Sequence, residues 1–282
     1  MNKQGRLERQ DVGCTATTER GVTICLIVFA YNCHPLYRLI LGANRDEYRD
    51  RPTDPARFWS DSPQVLAGRD RVAGGTWMGI TTDGKLAAVT NYRDPRRQVV
   101  DPPSRGGLVA GFLQNPLVTP EKFRGILNRD GEVYDGFNLL YGTSTELYYF
   151  TNRGGSSGPI TPGIHALSNH LLDTRWPKAA AAGDRLEAVV QQPSVDPEQI
   201  FAALSDPAPF ADVLLPDTGI GPDRERTLSP IFIEGELYGT RSTTVLLIGR
   251  SDRVTFIERT FDRPRETPAT ERYSFRIEVP VT

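Results

Sequence analysis

Two short apolar segments near one end of the chain constrain its fold most. They run from Ile24 to Tyr31 and from Leu36 to Gly42, and the second leads into Asn44-Arg45-Asp46-Glu47. Their length and their content of branched apolar residues are typical of buried strands. Because paired strands lie about 4.8 Å apart, a thiol that opens the first strand (Cys25) and an acid that ends the second (Asp46) are predicted to meet side by side.

The rest of the chain alternates short apolar runs with turn signals. Asp83-Gly84 predicts a hairpin between the strands Thr76 to Thr82 and Lys85 to Tyr92. Further strands are predicted at Tyr37–Ala43, Phe137–Tyr141, Glu146–Phe150, Ile231–Ile233, Thr243–Ile248, Val254–Arg259 and Tyr273–Val279, and helices at Arg105–Gln114, Pro120–Asn128, from Asp173 or Thr174 to Val190, and at Asp196–Ser205. Hairpins dominate, which indicates antiparallel sheets covered by helices rather than a parallel doubly wound sheet.

Composition excludes several classes of function. The chain has 282 residues and a net charge of −2, with no basic stripe, so neither nucleic acid nor an anionic membrane is an expected partner. The run Val22 to Tyr31 is shorter than the roughly 20 residues that span a bilayer, so no transmembrane segment is expected. Cys14, Cys25 and Cys33 are odd in number and lack a zinc spacing, which predicts no metal, no cofactor and a reducing, cytoplasmic location.

The polar, unpatterned beginning of the chain is expected to lie outside the fold. Residues 1–24 are interpreted as a disordered leader or as sequence upstream of the true start, and residues 25–282 as a single domain. A signal peptide is disfavoured because acidic and polar residues fill the region between Arg9 and Val22.

Motifs along nearly the whole chain resemble the NRDE family, the transport and Golgi organisation protein family. The matching stretches include Cys25-Leu-Ile-Val-Phe, Leu41-Gly-Ala-Asn-Arg-Asp-Glu-Tyr, Gly74-Gly-Thr-Trp-Met-Gly-Ile, Gly136-Phe-Asn-Leu, Leu167-Ser-Asn-His-Leu-Leu-Asp-Thr-Arg-Trp-Pro-Lys and Tyr238-Gly-Thr-Arg-Ser-Thr-Thr. That family is in turn similar to the N-terminal-nucleophile hydrolases, nearest to the choloylglycine hydrolase and penicillin V acylase branch. The resemblance implies an α+β fold, a four-layer αββα sandwich of two mainly antiparallel sheets covered by helices.

The resemblance also implies a set of catalytic residues. By their places in the matching motifs these are Cys25 as the N-terminal nucleophile, Asp46 holding its amine, Asn91 binding the oxyanion, Asn169 positioning the amine or the scissile carbonyl, and Arg241 balancing the local charge. The implied reaction is acyl transfer through a thioester, with an amide or thioester as substrate, and hydrolysis when water is the acceptor.

Two departures from these patterns matter. The hydrolase branch has an arginine three positions before its aspartate, where this chain has Ala43 and carries Arg45 instead. In NRDE proteins the cysteine directly follows the initiator Met, whereas here Ile24 precedes Cys25. Either the leader is cleaved, or translation begins further in, or this chain lacks a free N-terminal cysteine.

A cleft lined by Asn44, Arg45, Trp59, Trp77 and Tyr238 is expected to bind the substrate, although Arg45 and Glu47 could instead pair with each other. The alternative function is a non-catalytic carrier or chaperone that holds a haem-like ligand, a lipid or acyl-CoA in the same cleft. It fits the ties of the family to haem mobilisation and lipid metabolism. A scaffold without a small-molecule site is the third, least favoured reading.

Overall fold

The computed structural model describes residues 24–97, 99–263 and 267–278. Apart from Ile24, the expected leader lies outside these residues. The described chain forms two antiparallel sheets. The first has the spatial order β10 (Gly163–Leu167), β1 (Ile24–Tyr31), β2 (Tyr37–Tyr48), β11 (Tyr238–Gly249), β12 (Arg253–Thr260) and β13 (Ala269–Arg276). The second has the order β3 (Thr53–Trp59), β4 (Ser62–Asp70), β5 (Met78–Thr81), β6 (Leu86–Asn91), β7 (Phe137–Gly142), β8 (Leu147–Thr151) and β9 (Gly158–Pro159).

Helices cover the outer face of each sheet. They are α1 (Gly106–Gln114), α2 (Pro120–Asp130), α3 (Pro177–Val190), α4 (Pro197–Ala203) and α5 (Pro222–Thr227). Helices α3 and α4 pack on the first sheet through residues such as Leu186 and Ile200. Helices α1 and α2 pack on the second through Phe112 and Phe123. No helix within the described ranges has the length and apolar content needed to cross a membrane.

A third apolar core lies between the two sheets and joins them. It contains Phe29 and Leu41 of the first sheet and Leu66 and Ile80 of the second, all fully buried. The sheets are therefore covered by each other on one face and by helices on the other, which confirms the predicted α+β, four-layer αββα sandwich. Strands buried on both faces have continuous apolar sequences, as β1 does.

Most predicted elements are confirmed, with shifted ends. The largest shifts are of five residues: β2 was predicted to end at Ala43 but continues to Tyr48, and β11 was predicted to begin at Thr243 but begins at Tyr238. The two strands extend together because they pair along their whole length. The motif Asn44-Arg45-Asp46-Glu47 therefore lies within a central strand instead of following it. Helix α3 begins at Pro177, later than predicted, because proline is well suited to the first position of a helix.

The strand predicted at Ile231–Ile233 is wrong. Both isoleucines are buried, but this segment makes separate hydrogen bonds to backbone and side-chain groups instead of joining a sheet. The carbonyl of Ile231 accepts from Asn44 Nδ2 at 2.8 Å, and the N–H of Ile233 donates to Thr240 Oγ1 at 2.9 Å. Strands β3, β4, β9 and β10 and helix α5 were not predicted.

Candidate active site

A cleft of about 380 Å³ opens at the start of β1 and at the ends of β2 and β6, beside the first turn of α1. Five of the ten residues predicted for the site line it, namely Cys25, Arg45, Asp46, Trp77 and Asn91. The other lining residues include Glu47, Arg51, Asp70, Val72, Arg105 and Asp135. The described residues contain no cluster of three histidine, cysteine, aspartate or glutamate side chains arranged to hold a metal ion.

The thiol and the acid lie on neighbouring strands but are offset by one residue. Cys25 is directly opposite Arg45, and Asp46 is opposite Ile24. Side chains alternate between the two faces of a sheet. Cys25 is therefore in phase with Ile27, which faces the second sheet, whereas Asp46 faces the helices. The expectation that the two side chains meet side by side is corrected: they share the end of the strand pair from opposite faces.

Cys25 is a poor nucleophile in this environment. Burial and the nearby charge of Asp46 raise the pKa of the Cys25 thiol to about 12, against smaller lowering effects of Arg45 and a backbone hydrogen bond from Asp46. The thiolate is the reactive form of cysteine, and at neutral pH a group with this pKa is almost entirely protonated. Nucleophilic chemistry at Cys25 therefore requires a base close to the sulfur.

The Asp46 carboxylate has one satisfied and one unsatisfied oxygen. Its side chain is buried, with Oδ1 accepting from Thr240 Oγ1 at 2.6 Å, whereas the buried Oδ2 has no hydrogen-bond partner among the described residues. Burial raises the pKa of Asp46 to about 6, although Lys178 and the Thr240 hydrogen bond act to lower it. An unsatisfied buried carboxylate oxygen is costly and is rare in native structures. It marks a position where a hydrogen-bond donor would bind well.

Lys178 is a buried cation that sequence reasoning left unassigned. It lies in the first turn of α3, is 4% exposed, and donates from Nζ to the Leu228 carbonyl at 3.1 Å. Burial lowers the pKa of Lys178 to about 8, and the charges of Asp46 and Cys25 act to raise it. The sequence offered one signal for it, its place in the Trp176-Pro177-Lys178 part of a family motif. A cation in the first turn of a helix opposes the helix dipole, so a lysine at this position is unfavourable for the helix itself.

Asn91 and Asn169 are connected, but only Asn91 reaches the cleft. Asn169 is fully buried and donates from Nδ2 to the Asn91 carbonyl at 3.0 Å. The neighbouring Ser168 donates from Oγ to the Cys25 carbonyl at 3.2 Å. The Ser168-Asn169 pair thus ties β1 of the first sheet to the end of β6 in the second and fixes the spacing of Cys25 and Asn91.

Arg45 covers one wall of the cleft. Its guanidinium carbon lies 4.4 Å from the centroid of the Trp77 ring, and Nη2 lies 3.5 Å from Glu47 Oε2. The expected pairing of Arg45 with Glu47 is therefore present. Arg45 is well placed to affect the charge of a group bound near Cys25, which lies opposite it in the strand pair.

Asn44 and Trp59 lie away from the cleft. Both polar atoms of the Asn44 side chain are used inside the protein: Nδ2 donates to the Leu204 and Ile231 carbonyls, and Oδ1 accepts from Thr243 Oγ1 at 2.7 Å. Trp59 is 2% exposed and packs with the α1 and α2 core. The expectation that these two residues bind substrate is corrected, because neither has a free face toward the cleft.

Tyr238 and Arg241 form hydrogen bonds with the main chain beside the cleft. The Tyr238 hydroxyl donates to the Asp46 carbonyl at 3.3 Å. Arg241 Nη1 donates to the carbonyls of Tyr48 and Arg49, each at 2.9 Å. Neither residue lines the cleft. Tyr238 therefore contacts the main chain of β2, and Arg241 contacts the end of β2 and the turn that follows it.

Two solved structures resemble this fold at low sequence identity. The N-acylethanolamine-hydrolyzing acid amidase orthologue of Caenorhabditis elegans has a TM-score of 0.47 and 11% identity, covering 79% of this chain and 92% of that chain. A mutant of the conjugated bile acid hydrolase from Clostridium perfringens has a TM-score of 0.48 and 9% identity, covering 92% of this chain and 98% of that one.

Sequence comparison identifies the family. The mouse Transport and Golgi organization 2 homolog is 35% identical over 278 residues, which cover 90% of this chain and 100% of the relative. The human homolog is 34% identical with the same coverage, and the Drosophila melanogaster protein is 26% identical over 84% of this chain and 92% of its own. The family model described as Transport and Golgi organisation 2 matches residues 24–263. The chain therefore belongs to the Transport and Golgi organisation 2 family.

Proposed function

We propose that this protein is a hydrolase of the N-terminal-nucleophile type, in which Cys25 carries the acyl group of an amide or thioester substrate. The observation that carries the proposal is the unsatisfied oxygen of Asp46. Oδ2 is buried without a partner among the described residues at the end of β2, opposite the peptide that precedes Cys25. A free amine on Cys25 would supply the missing donor, and a protonated amine would also balance the carboxylate charge.

The same amine would supply the base that the thiol lacks. An α-amine titrates near pKa ~7.7–8.0, so its neutral form is available close to neutral pH. It takes the Sγ proton while the sulfur attacks the substrate carbonyl carbon and forms a tetrahedral intermediate. It then returns the proton to the leaving nitrogen or sulfur as that bond breaks and a thioester on Cys25 remains. Water hydrolyses the thioester and restores the thiol.

Asn91 is the residue we assign to the oxyanion. It lines the cleft with Cys25, and its main chain is held by Asn169. A donor that is fixed before the reaction stabilises the developing negative charge without reorganising, and the loss of one such donor typically costs about 10²–10³ in kcat. Asp46 would hold the amine, and Lys178 would keep Asp46 ionised.

The test compares three forms of the chain, all otherwise identical. The first begins at Cys25, the second carries one extra glycine before Cys25, and the third is the full chain. Each is incubated with a panel of N-acyl amides and acyl thioesters, and acyl-enzyme is detected by intact mass. We expect an adduct on Cys25 only in the first form, because one added residue blocks the amine without changing the cleft. The same adduct level in the first two forms, or none in any form across the panel, would contradict the proposal.

The second candidate is a carrier that uses the same cleft without turnover. The raised pKa of Cys25 favours it for the full chain, in which the thiol is almost entirely protonated at neutral pH. The cleft volume of about 380 Å³ suits a small ligand or one end of a lipid or acyl-CoA. Equilibrium binding of an acyl-CoA or a haem to the full chain, with equal affinity in a Cys25→Ala variant and no acyl transfer, would favour the carrier.

A further inference from the structure

We propose that Arg105 is a substrate-positioning residue that binds a carboxylate or phosphate group, so that the cleft selects acyl amides or thioesters with a negative charge near the scissile bond. The proposal deepens the function proposed above and rests on it for the acyl substrate, but anion binding at Arg105 needs no turnover.

Arg105 is rigidly held in the wall of the cleft. It lies directly before α1, is half-buried, and donates from Nη1 to the Gly136 carbonyl at 3.0 Å. The first residue of α1 is fixed in turn, because the Gly106 carbonyl accepts from the Thr76 N–H at 3.2 Å. A guanidinium positioned in this way loses little conformational entropy when it binds a ligand.

The other arginines of the cleft have partners, whereas Arg105 is not part of any ion pair among the described residues. Arg51 binds Asp70 through Nη2 at 2.6 Å, and Arg45 lies 3.5 Å from Glu47. A guanidinium has five N–H donors. Within the described part of the chain, only the Gly136 carbonyl accepts a hydrogen bond from the Arg105 guanidinium.

No acidic side chain within the described ranges forms an ion pair with Arg105, although Asp135 and Glu47 both act on its charge. Among nearby charges, Asp135 has the largest effect on the pKa of Arg105. Its Oδ1 accepts a hydrogen bond from the Val99 N–H at 2.9 Å. Burial lowers the pKa of Arg105, and the charges of Asp135 and Cys25 act to raise it. Arg105 is therefore a partly desolvated cation close enough to the Cys25 thiol for the two charges to interact.

The chemistry of this group favours a flat or tetrahedral oxyanion as its ligand. Arginine binds carboxylate and phosphate through two parallel hydrogen bonds, which are stronger than bonds between neutral groups. Water is partly excluded around the Arg105 guanidinium, which strengthens its attraction to an anion. A substrate anchored at Arg105 would place its neutral acyl bond toward Cys25 and Asn91, which line the same cleft.

Alkylation of the full chain tests this charge preference without any turnover. Iodoacetate and iodoacetamide differ in charge but react with the same thiolate, so the ratio of their rates does not depend on the pKa of the cysteine. Rates are measured separately at Cys25 and Cys33 by peptide mass spectrometry. The exposed Cys33 lies outside the cleft and serves as a reference within the same molecule.

We expect the iodoacetate to iodoacetamide ratio to be higher at Cys25 than at Cys33, and Arg105→Gln to lower it at Cys25 by about fivefold. Arg129→Gln is the matched control, because Arg129 is exposed on α2 and outside the cleft. Arg105→Met, which keeps the apolar stem of the side chain, replaces the first variant if its thermal melt shows that it is unfolded. A wild-type ratio no higher at Cys25 than at Cys33, or a change of less than about twofold in the folded variants, would overturn the proposal.

Protection experiments identify the kind of anion. N-octanoylglycine is compared with its neutral amide N-octanoylglycinamide, and octyl phosphate with octanol, as protectors of Cys25 against iodoacetamide. Protection by one anion of these pairs, lost in Arg105→Gln, supports the proposal and identifies carboxylate or phosphate as the preferred group. Equal protection by charged and neutral members overturns it. Since no product is measured, this result is independent of whether Cys25 forms an acyl-enzyme.

Discussion

Asp46 and Lys178 are buried on the same face of the first sheet, and the charge of each favours the charged form of the other. Lys178 belongs to α3, and Asp46 faces the helices on the side of the sheet away from the Cys25 sulfur. The pair explains how a carboxylate that is 1% exposed can remain ionised near neutral pH. Lys178 therefore favours any reaction that uses Asp46 as an anion.

A double-mutant cycle measures this coupling. We expect Lys178→Met and Asp46→Asn to be coupled by about 1–2 kcal/mol in the free energy of unfolding at pH ~7.5, because one charge is left uncompensated in each single variant. The coupling should approach zero at pH ~4.5, where Asp46, with its pKa of about 6, is protonated in the folded state. Urea unfolding at the two pH values provides the measurement, and Lys122→Met on the exposed face of α2 is the control. Equal coupling at both pH values would mean that the two residues interact other than through charge.

Asp46→Asn also tests the contact with the amine. In the chain that begins at Cys25, the substitution is expected to lower the pKa of the α-amine by about 1 unit or more, because an adjacent anion stabilises the protonated form. The pH titration of a ¹⁵N-labelled Cys25 amine gives this value directly. Acyl-enzyme formation should fall by roughly 10²-fold, in the range found for a misplaced base. An unchanged amine pKa would show that Asp46 Oδ2 is not its partner.

The fold was largely predictable, and the candidate active site only in part. Apolar runs and the Asp83-Gly84 hairpin signal were sufficient for β1, β5 and β6, because these strands are buried on both faces. The extension of β2 through Asp46 was not predictable by pattern, because polar residues are buried there by pairing with β11. The family motifs correctly placed Cys25, Asp46 and Asn91 in one cleft. The pairing register of β1 and β2, which the sequence does not reveal, places the Cys25 and Asp46 side chains on opposite faces of the sheet.

Lys178 and Arg105 illustrate a further limit. Both are cations placed by the starts of helices, and charge alone does not distinguish them from the many exposed arginines of the chain. Their environment depends on contacts between residues far apart in sequence, such as Lys178 with Leu228 and Arg105 with Gly136. Periodicity carries no information about such contacts.

Glu258 gives the protein a predictable pH dependence of stability. It is buried between the sheets and accepts from the Ala56 N–H at 2.7 Å, and burial raises its pKa to about 7. Since the folded pKa exceeds the unfolded value, its stabilising effect is present at low pH and is lost as the pH rises toward 7. Between pH ~5 and ~8, ionisation of Glu258 is expected to lower the free energy of unfolding of the wild type. We expect this fall to be smaller by about 2 kcal/mol in Glu258→Gln, which has no carboxyl group to ionise at this position. Urea unfolding of both, with the exposed Glu121→Gln as control, tests this; identical pH profiles would contradict it.

Gly75 determines where α1 and therefore Arg105 lie. A Cβ at Gly75 would lie 2.5 Å from the backbone carbon of Gly106, and neither backbone can move without shifting the first turn of α1. We expect Gly75→Ala to lower the free energy of unfolding by about 2 kcal/mol or more, as overpacked positions do. Gly107→Ala is the matched control, because a Cβ there has no neighbour within 4 Å, and alanine in a helix should instead raise stability by about 0.5–1 kcal/mol. Thermal melts measure both effects, and the alkylation ratio at Cys25 should fall in Gly75→Ala only. If Gly75→Ala is as stable as the wild type and keeps its ratio, the close approach of the two backbones is not what positions Arg105.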